Sequence, residues 1–209
     1  MKEKIESSLK FYKLCNKLKD TIRKGPLIWN VKRERIESVA EHIYGVQMLA
    51  LSIYHQFQYK LDIKKVIYML AIHELEEIRI GDLAFFEIDE KEKLIQGKKA
   101  TDYLLKDILG KEEISKILDE FNEGKTEEAR FAYHCDKLEC DIQIKIYDQE
   151  NCFDLNHQEN NPIINDAEVR KCLDNEKNVS NAWIEFDREK YRDDPNFIQI
   201  IDYLKENDI

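Results

Sequence analysis

Six residues stand out as types that can do chemistry: His42, then His73, Glu74 and Glu77 on one helical stripe, then Asp82, then Asp136. Ile63, Val66, Ile67 and Leu70 set an apolar stripe, and the stripe continues straight into His73. At roughly 100° per residue, His73, Glu74 and Glu77 fall within roughly 60° of the stripe's centre, while Glu76 points away. Imidazole and carboxylate groups on a core-facing stripe need a partner or a bound cation. Two imidazoles and two carboxylates suit one divalent transition metal such as Mn, Co, Fe, Ni or Zn. The set His42, His73, Glu74 and Asp136 would bind it, and Glu77, one turn after His73, could act on a water as general base. The competing reading makes both histidines hydrogen-bonded core residues and pairs the carboxylates with Arg79 or a lysine. It strains against three ionisable groups on one apolar stripe, each costing several kcal/mol if left unpaired.

These residues must be held by helices. Apolar spacing predicts helices over 3–23, 39–58, 62–79, 91–109, 111–123 and 127–149, then shorter ones near 163–175, 180–190 and 195–206. Ser38 is placed to cap the second, Gly81 to end the third and Gly124 to end the fifth. The helix from Thr126 to Gln149 has two apolar faces, with Asp136 in the middle of one, so it should be central. The stretch 26–38 reads as a connector whose Trp29 covers the core, and 150–162 reads as a polar loop. His134 lies on another face from Asp136 and reads as structural, and no role suggests itself for His157. Only 6 Gly and 3 Pro in 209 residues argue against a turn-rich β fold. The expected fold is all-α: one domain over 1–209, a bundle of seven to nine helices, with the site within about 10–150 and helices of 151–209 packed on it.

Charge and cysteine content bound the partners. The net charge of −10 disfavours non-specific binding to nucleic acid or anionic membranes. Residues 1–40 carry 11 Lys/Arg against 5 Asp/Glu, a net of +6, which leaves −16 on the remainder. That basic segment could lie near an anionic substrate, although for any single residue a solvated, Lys-rich helix face is the commoner reading. The five cysteines contain no C-x-x-C pair, and no apolar run approaches a membrane span or a signal-peptide core. A cytoplasmic protein with reduced thiols is expected.

The order His…His-Asp…Asp on successive helices resembles the HD-domain metal-dependent phosphohydrolases, with Glu74 in the place of the paired Asp. The closer resemblance is to their YfbR-like 5′-deoxynucleotidase branch. Asn30-Val31 and Glu37-Ser-Val-Ala-Glu41-His42 match one segment of that branch, and His73-Glu74-Leu-Glu-Glu77-Ile-Arg-Ile-Gly81-Asp82-Leu83 matches another. The match runs over about residues 10–150. It implies that His42, His73, Glu74 and Asp136 hold one metal and that Glu77 is the catalytic carboxylate. It further implies that Asp82, with Leu83 beside it, meets the nucleotide sugar or the attacking-water network, and that Arg23 or Lys24 meets the phosphate. The implied reaction is hydrolysis of (deoxy)nucleoside 5′-monophosphates to nucleoside and phosphate, by a homodimer. Two alternatives stay open. One is an HD hydrolase of another phosphorylated metabolite or a guanosine polyphosphate; the other is a catalytically silent module that binds metal or nucleotide. Besides Glu74, two departures bear on the substrate: the branch's Arg-Trp pair reads Lys24-Gly25 with Trp29 displaced, and a Thr found in some relatives is Phe85.

Overall fold

The computed structural model describes residues 1–84 and 86–209, so Phe85 lies outside the described residues. In chain order the α-helices are α1 (Lys2–Cys15), α2 (Lys24–Ile28), α3 (Val39–Gln56), α4 (Ile63–Ile72), α5 (Glu77–Ile80), α6 (Glu90–Leu105), α7 (Lys111–Glu123), α8 (Glu127–Gln149), α9 (Ala167–Asn175), α10 (Val179–Asp187) and α11 (Pro195–Glu206). Three short 3₁₀ turns join them. Among the described residues no β-strand forms beyond one antiparallel bridge, Ile22 to Ser38. The fold is therefore all-α, as the patterning predicts. None of the described helices is long and apolar enough to cross a membrane.

The chain gathers into two compact units, residues 1–24 with 37–133 and residues 25–36 with 134–209. In the first, Leu18, Val39, Leu75, Ile78, Leu104 and Leu118 form a buried core, with Phe11, Leu14 and Ile43 packed against it. In the second, Trp29, Ile163, Val169 and Val179 are buried together, with Phe153, Trp183 and Phe186 around them. Trp29 is thus a core residue, 3% exposed, as expected of it.

Local chemistry explains the helix ends. Ser38 caps α3 through a full capping box: its side chain accepts from the Glu41 N–H, and the Glu41 carboxylate accepts from the Ser38 N–H. Asp62 caps α4, Asp89 caps α6 and the Thr126 hydroxyl accepts from Ala129 N–H at the start of α8. Gly124 closes α7 in the left-handed conformation, φ 62°.

Two helices differ from expectation. The first ends at Cys15 and continues as a 3₁₀ turn over Asn16–Lys19, and a short helix, α2, follows where a connector was expected. The third breaks after Ile72. The backbone N–H groups of Leu75, Glu77, Ile78 and Arg79 donate three residues back, to Ile72, Glu74, Leu75 and Glu76. Three-residue hydrogen bonds tighten the winding to about three residues per turn, so residues i and i+3 eclipse. The predicted continuous helix over 62–79 is therefore α4, a tightened turn, and α5, and the chemistry-bearing residues sit on the turn.

Candidate metal centre

His42 and His73 come from different helices of the first unit, and Glu74 lies between them. His42 sits one turn into α3, fully buried. Its depth follows from the capping box, which fixes where α3 begins and so which face residue 42 presents. His73 is the C-terminal boundary of α4 and is 4% exposed. The two rings lie 5.7 Å apart, centre to centre. His73 Nδ1 is 2.8 Å from the carbonyl oxygen of Leu70. A carbonyl can only accept, so Nδ1 carries the proton and Nε2 presents its lone pair.

That lone pair faces Glu74 Oε1 at 3.6 Å, and His42 Nε2 is 3.9 Å from the same oxygen. The three donor atoms lie within 4.8 Å of one another. Bonds of about 2.0–2.2 Å to a divalent cation would set neighbouring donors roughly 3–3.5 Å apart. Three nearly converged donors, one of them fixed in its tautomer by a backbone carbonyl, fit a metal centre. The longer Glu side chain reaches both imidazoles from the tightened turn, so Glu in place of Asp does not withdraw the oxygen from the histidines.

Glu77 follows one three-residue turn after Glu74, and the two side chains are hydrogen-bonded. Glu77 is 3% exposed, and among the described residues its Oε2 has no hydrogen-bond partner. Burial first, then the charges of Glu74 and Asp82, push its carboxyl up to about 11, against the opposing pull of Arg23. Glu76 was expected to point away from the core. Instead its side chain packs 3.5 Å from where Gly97 of α6 would carry a Cβ, and burial with the Glu74 charge raises its carboxyl to about 7. The tightened turn, which no helical wheel includes, swings it inward.

Arg23 and Asp82 stand beside this cluster. Arg23 Nη1 is 3.4 Å from Asp82 Oδ2 and 4.0 Å from Glu74 Oε1, and Nε is 3.8 Å from Glu37 Oε1. Asp82 follows Gly81, which ends α5 at φ 77°, and its Oδ2 also accepts from the Lys24 backbone N–H at 2.8 Å. Lys24 turns its amine to Glu87, whose other oxygen accepts from Ala84 N–H. Of the two basic candidates, Arg23 faces the cluster and Lys24 is engaged elsewhere. Leu83 is half-buried beside Asp82. Glu87 was not singled out in the sequence, and Glu37 was named only as the first residue of a matched segment, without a role; acidic type alone gives little signal in a chain with 43 Asp and Glu.

Asp136 belongs to the second unit. It lies buried on α8, 4% exposed, with Lys137 Nζ 2.9 Å from Oδ2. His134, two residues earlier, has the structural role expected of it: Nε2 is 3.1 Å from Asp193, and the ring packs against Tyr191 and Phe197. His157, left without a role by its sequence context, pairs with Asp154 at 2.7 Å on the surface.

The HD domain family model matches residues 15–171. Curated relatives named 5′-deoxynucleotidase HDDC2 include one from Dictyostelium discoideum, 29% identical over 150 residues (68% of this chain, 78% of that one). Another, from Danio rerio, is 30% identical over 149 residues (69% and 72%). Two solved structures share the fold. A conserved hypothetical protein from Pyrococcus furiosus aligns with TM-score 0.64 at 24% identity, covering 95% of this chain and 99% of that one. A protein from Magnetospirillum magnetotacticum MS-1, titled "Predicted metal-dependent phosphohydrolase", aligns with TM-score 0.66 at 20% identity, covering 98% and 94%. With its histidines and carboxylates in the order the resemblance requires, this chain belongs to the HD domain family.

Proposed function

We propose that this protein is a metal-dependent phosphohydrolase that cleaves nucleoside 5′-monophosphates, deoxynucleotides among them, to nucleoside and inorganic phosphate. The observation that carries the reading is the convergence of His42 Nε2, His73 Nε2 and Glu74 Oε1, with Arg23 and Glu77 alongside. The family match and the relatives named 5′-deoxynucleotidase support it. His42, His73 and Glu74 would hold one divalent cation, and the resemblance adds Asp136, a buried carboxylate on α8, as fourth ligand. The nitrogen and oxygen donors suit Mn, Co, Fe, Ni or Zn. Such a cation lowers the pKa of a coordinated water and offsets charge on a phosphoryl oxygen.

The remaining work falls to the chain. Arg23 supplies the guanidinium for the phosphoryl oxygens, in a fork geometry that Lys24 lacks. Glu77 is the proton carrier. Its buried carboxyl holds a proton in the chain alone and can exchange it with water or with the departing 5′-oxygen. Asp82 meets the sugar or the water network, with Leu83 beside it as an apolar wall. The five cysteines are free thiols, which suits a reducing, cytoplasmic setting, and the resemblance favours a homodimer.

The test is phosphate release from deoxy- and ribonucleoside 5′-monophosphates with Mn, Co, Ni, Zn or Mg. Turnover should require the metal and fall at least about a hundredfold in Glu77→Ala. A folded protein that binds one ion per chain yet releases no phosphate from any of these nucleotides would overturn the reading.

A further inference from the structure

We propose that Glu37 is a positioning residue, which sets the guanidinium of Arg23 for phosphate and ties it to the helix that carries His42. The inference rests on the reading of Arg23 above. Residues 23 and 37 are joined twice. The Arg23 backbone N–H donates to the Glu37 carbonyl at 3.0 Å, and the Val39 N–H donates to the Thr21 carbonyl at 2.8 Å, closing the bridge of Ile22 with Ser38. The side chains then pair across that bridge, Nε to Oε1 at 3.8 Å. Both side chains are largely withdrawn from solvent, Arg23 14% and Glu37 13% exposed, so the pair is poorly screened.

The geometry divides the labour among three carboxylates. Glu37 faces Nε, at the root of the guanidinium, while Asp82 and Glu74 face Nη1, at its tip. A planar fork held at its root has its orientation fixed and keeps its outer N–H groups directed at the cluster. The action proposed for Glu37 runs through Arg23. Glu37 also directly precedes Ser38, the cap of α3, and His42 lies four residues beyond that cap. One short bridge therefore locates both the phosphate-facing cation and a metal-facing imidazole, and loosening the cation alone should show first in how tightly the phosphate is held.

The substitution Glu37→Gln removes the charge and leaves both backbone hydrogen bonds. KM for a nucleoside 5′-monophosphate should rise about fivefold to tenfold with kcat changed less than about twofold, and inhibition by inorganic phosphate should weaken in parallel. In an Arg23→Ala background the same substitution should add nothing, because its effect passes through the missing guanidinium. A second readout does not need turnover: the Arg23 Nε–H, which Glu37 faces, should exchange slowly with solvent by nitrogen-edited NMR in the wild type and faster in Glu37→Gln. Unchanged Nε–H exchange, or a full KM effect persisting without Arg23, would overturn the proposal. Slow exchange lost in Glu37→Gln, in a protein that hydrolyses no nucleotide, would uphold the positioning role and refute the nucleotidase reading instead.

Discussion

Among the described residues two buried carboxyls, Glu77 and Asp141, each have an oxygen without a hydrogen-bond partner, and their surroundings set them apart. Glu77 is held near Glu74, Asp82 and Arg23, where a proton can be passed on. Asp141, fully buried on α8, accepts a hydrogen bond from the Tyr191 hydroxyl, while its Oδ1 has no partner among the described residues. Burial and the nearby Asp187 charge raise its pKa well above 3.8. An acid whose pKa is higher folded than unfolded binds more protons in the folded state between the two values, so it lowers stability progressively as pH rises through that interval. Asp141→Asn keeps an acceptor for Tyr191 and cannot ionise. Its melting temperature should match the wild type near pH 4 and exceed it increasingly toward pH 8, by about 1 kcal/mol or more, roughly 2–4 °C. A variant whose destabilisation instead grows as pH rises above about 4 would show that Asp141 serves as a carboxylate. Residue types on the apolar stripe marked His73, Glu74 and Glu77 as candidate site residues in the sequence. The role proposed for Glu37 and the burial of Asp141 were not legible there, because the first depends on a bridge between two segments outside the helices and the second on Tyr191, 50 positions along the chain.

At the scale of elements, what was legible was local. A capping box, a Thr cap and a left-handed glycine are each decided within four residues, so the start of α3, the start of α8 and the end of α7 could be read directly. The break after Ile72 could not, because Met69 to Ile80 carries neither Pro nor Gly to announce it. Wheel angles computed across the break misdirected Glu76, whose neighbour is Gly97 of α6. Two glycines should therefore respond oppositely to alanine. At Gly97 a Cβ would meet the Glu76 side chain at 3.5 Å, ordinary contact, and Gly97→Ala should stabilise α6 by about 0.5–1 kcal/mol. Gly124 has φ 62°, so Gly124→Ala should destabilise by about 1 kcal/mol. Denaturant midpoints at constant m-value would measure both, and loss of stability in Gly97→Ala would mean that Glu76 has no room to yield.

For the molecule as a whole, a cation bound only by the folded state adds stability by mass action. At a hundredfold excess over Kd this is about 2.7 kcal/mol, or roughly 5–10 °C for a chain of this size. Adding Mn or Co to chelator-treated protein should raise the calorimetric melting temperature by that order, and His73→Ala should abolish the rise. A shift of equal size in His73→Ala would place the bound ion elsewhere. The division into two units was not legible, since residues 25–36 join the second unit across more than a hundred residues of chain; Gln158 Nε2 donates to the Trp29 carbonyl from 129 positions away. That excursion has an optical consequence. The chain's two tryptophans, Trp29 and Trp183, both lie in the second unit, with ring centres 6.1 Å apart. Intrinsic tryptophan emission is thus a reporter for the second unit alone, and the unit that holds His42, His73 and Glu74 is dark in that channel. Unfolding followed by emission and by circular dichroism should coincide only if the two units melt together. A change in emission on adding the cation would register an event beyond the three first-unit donors.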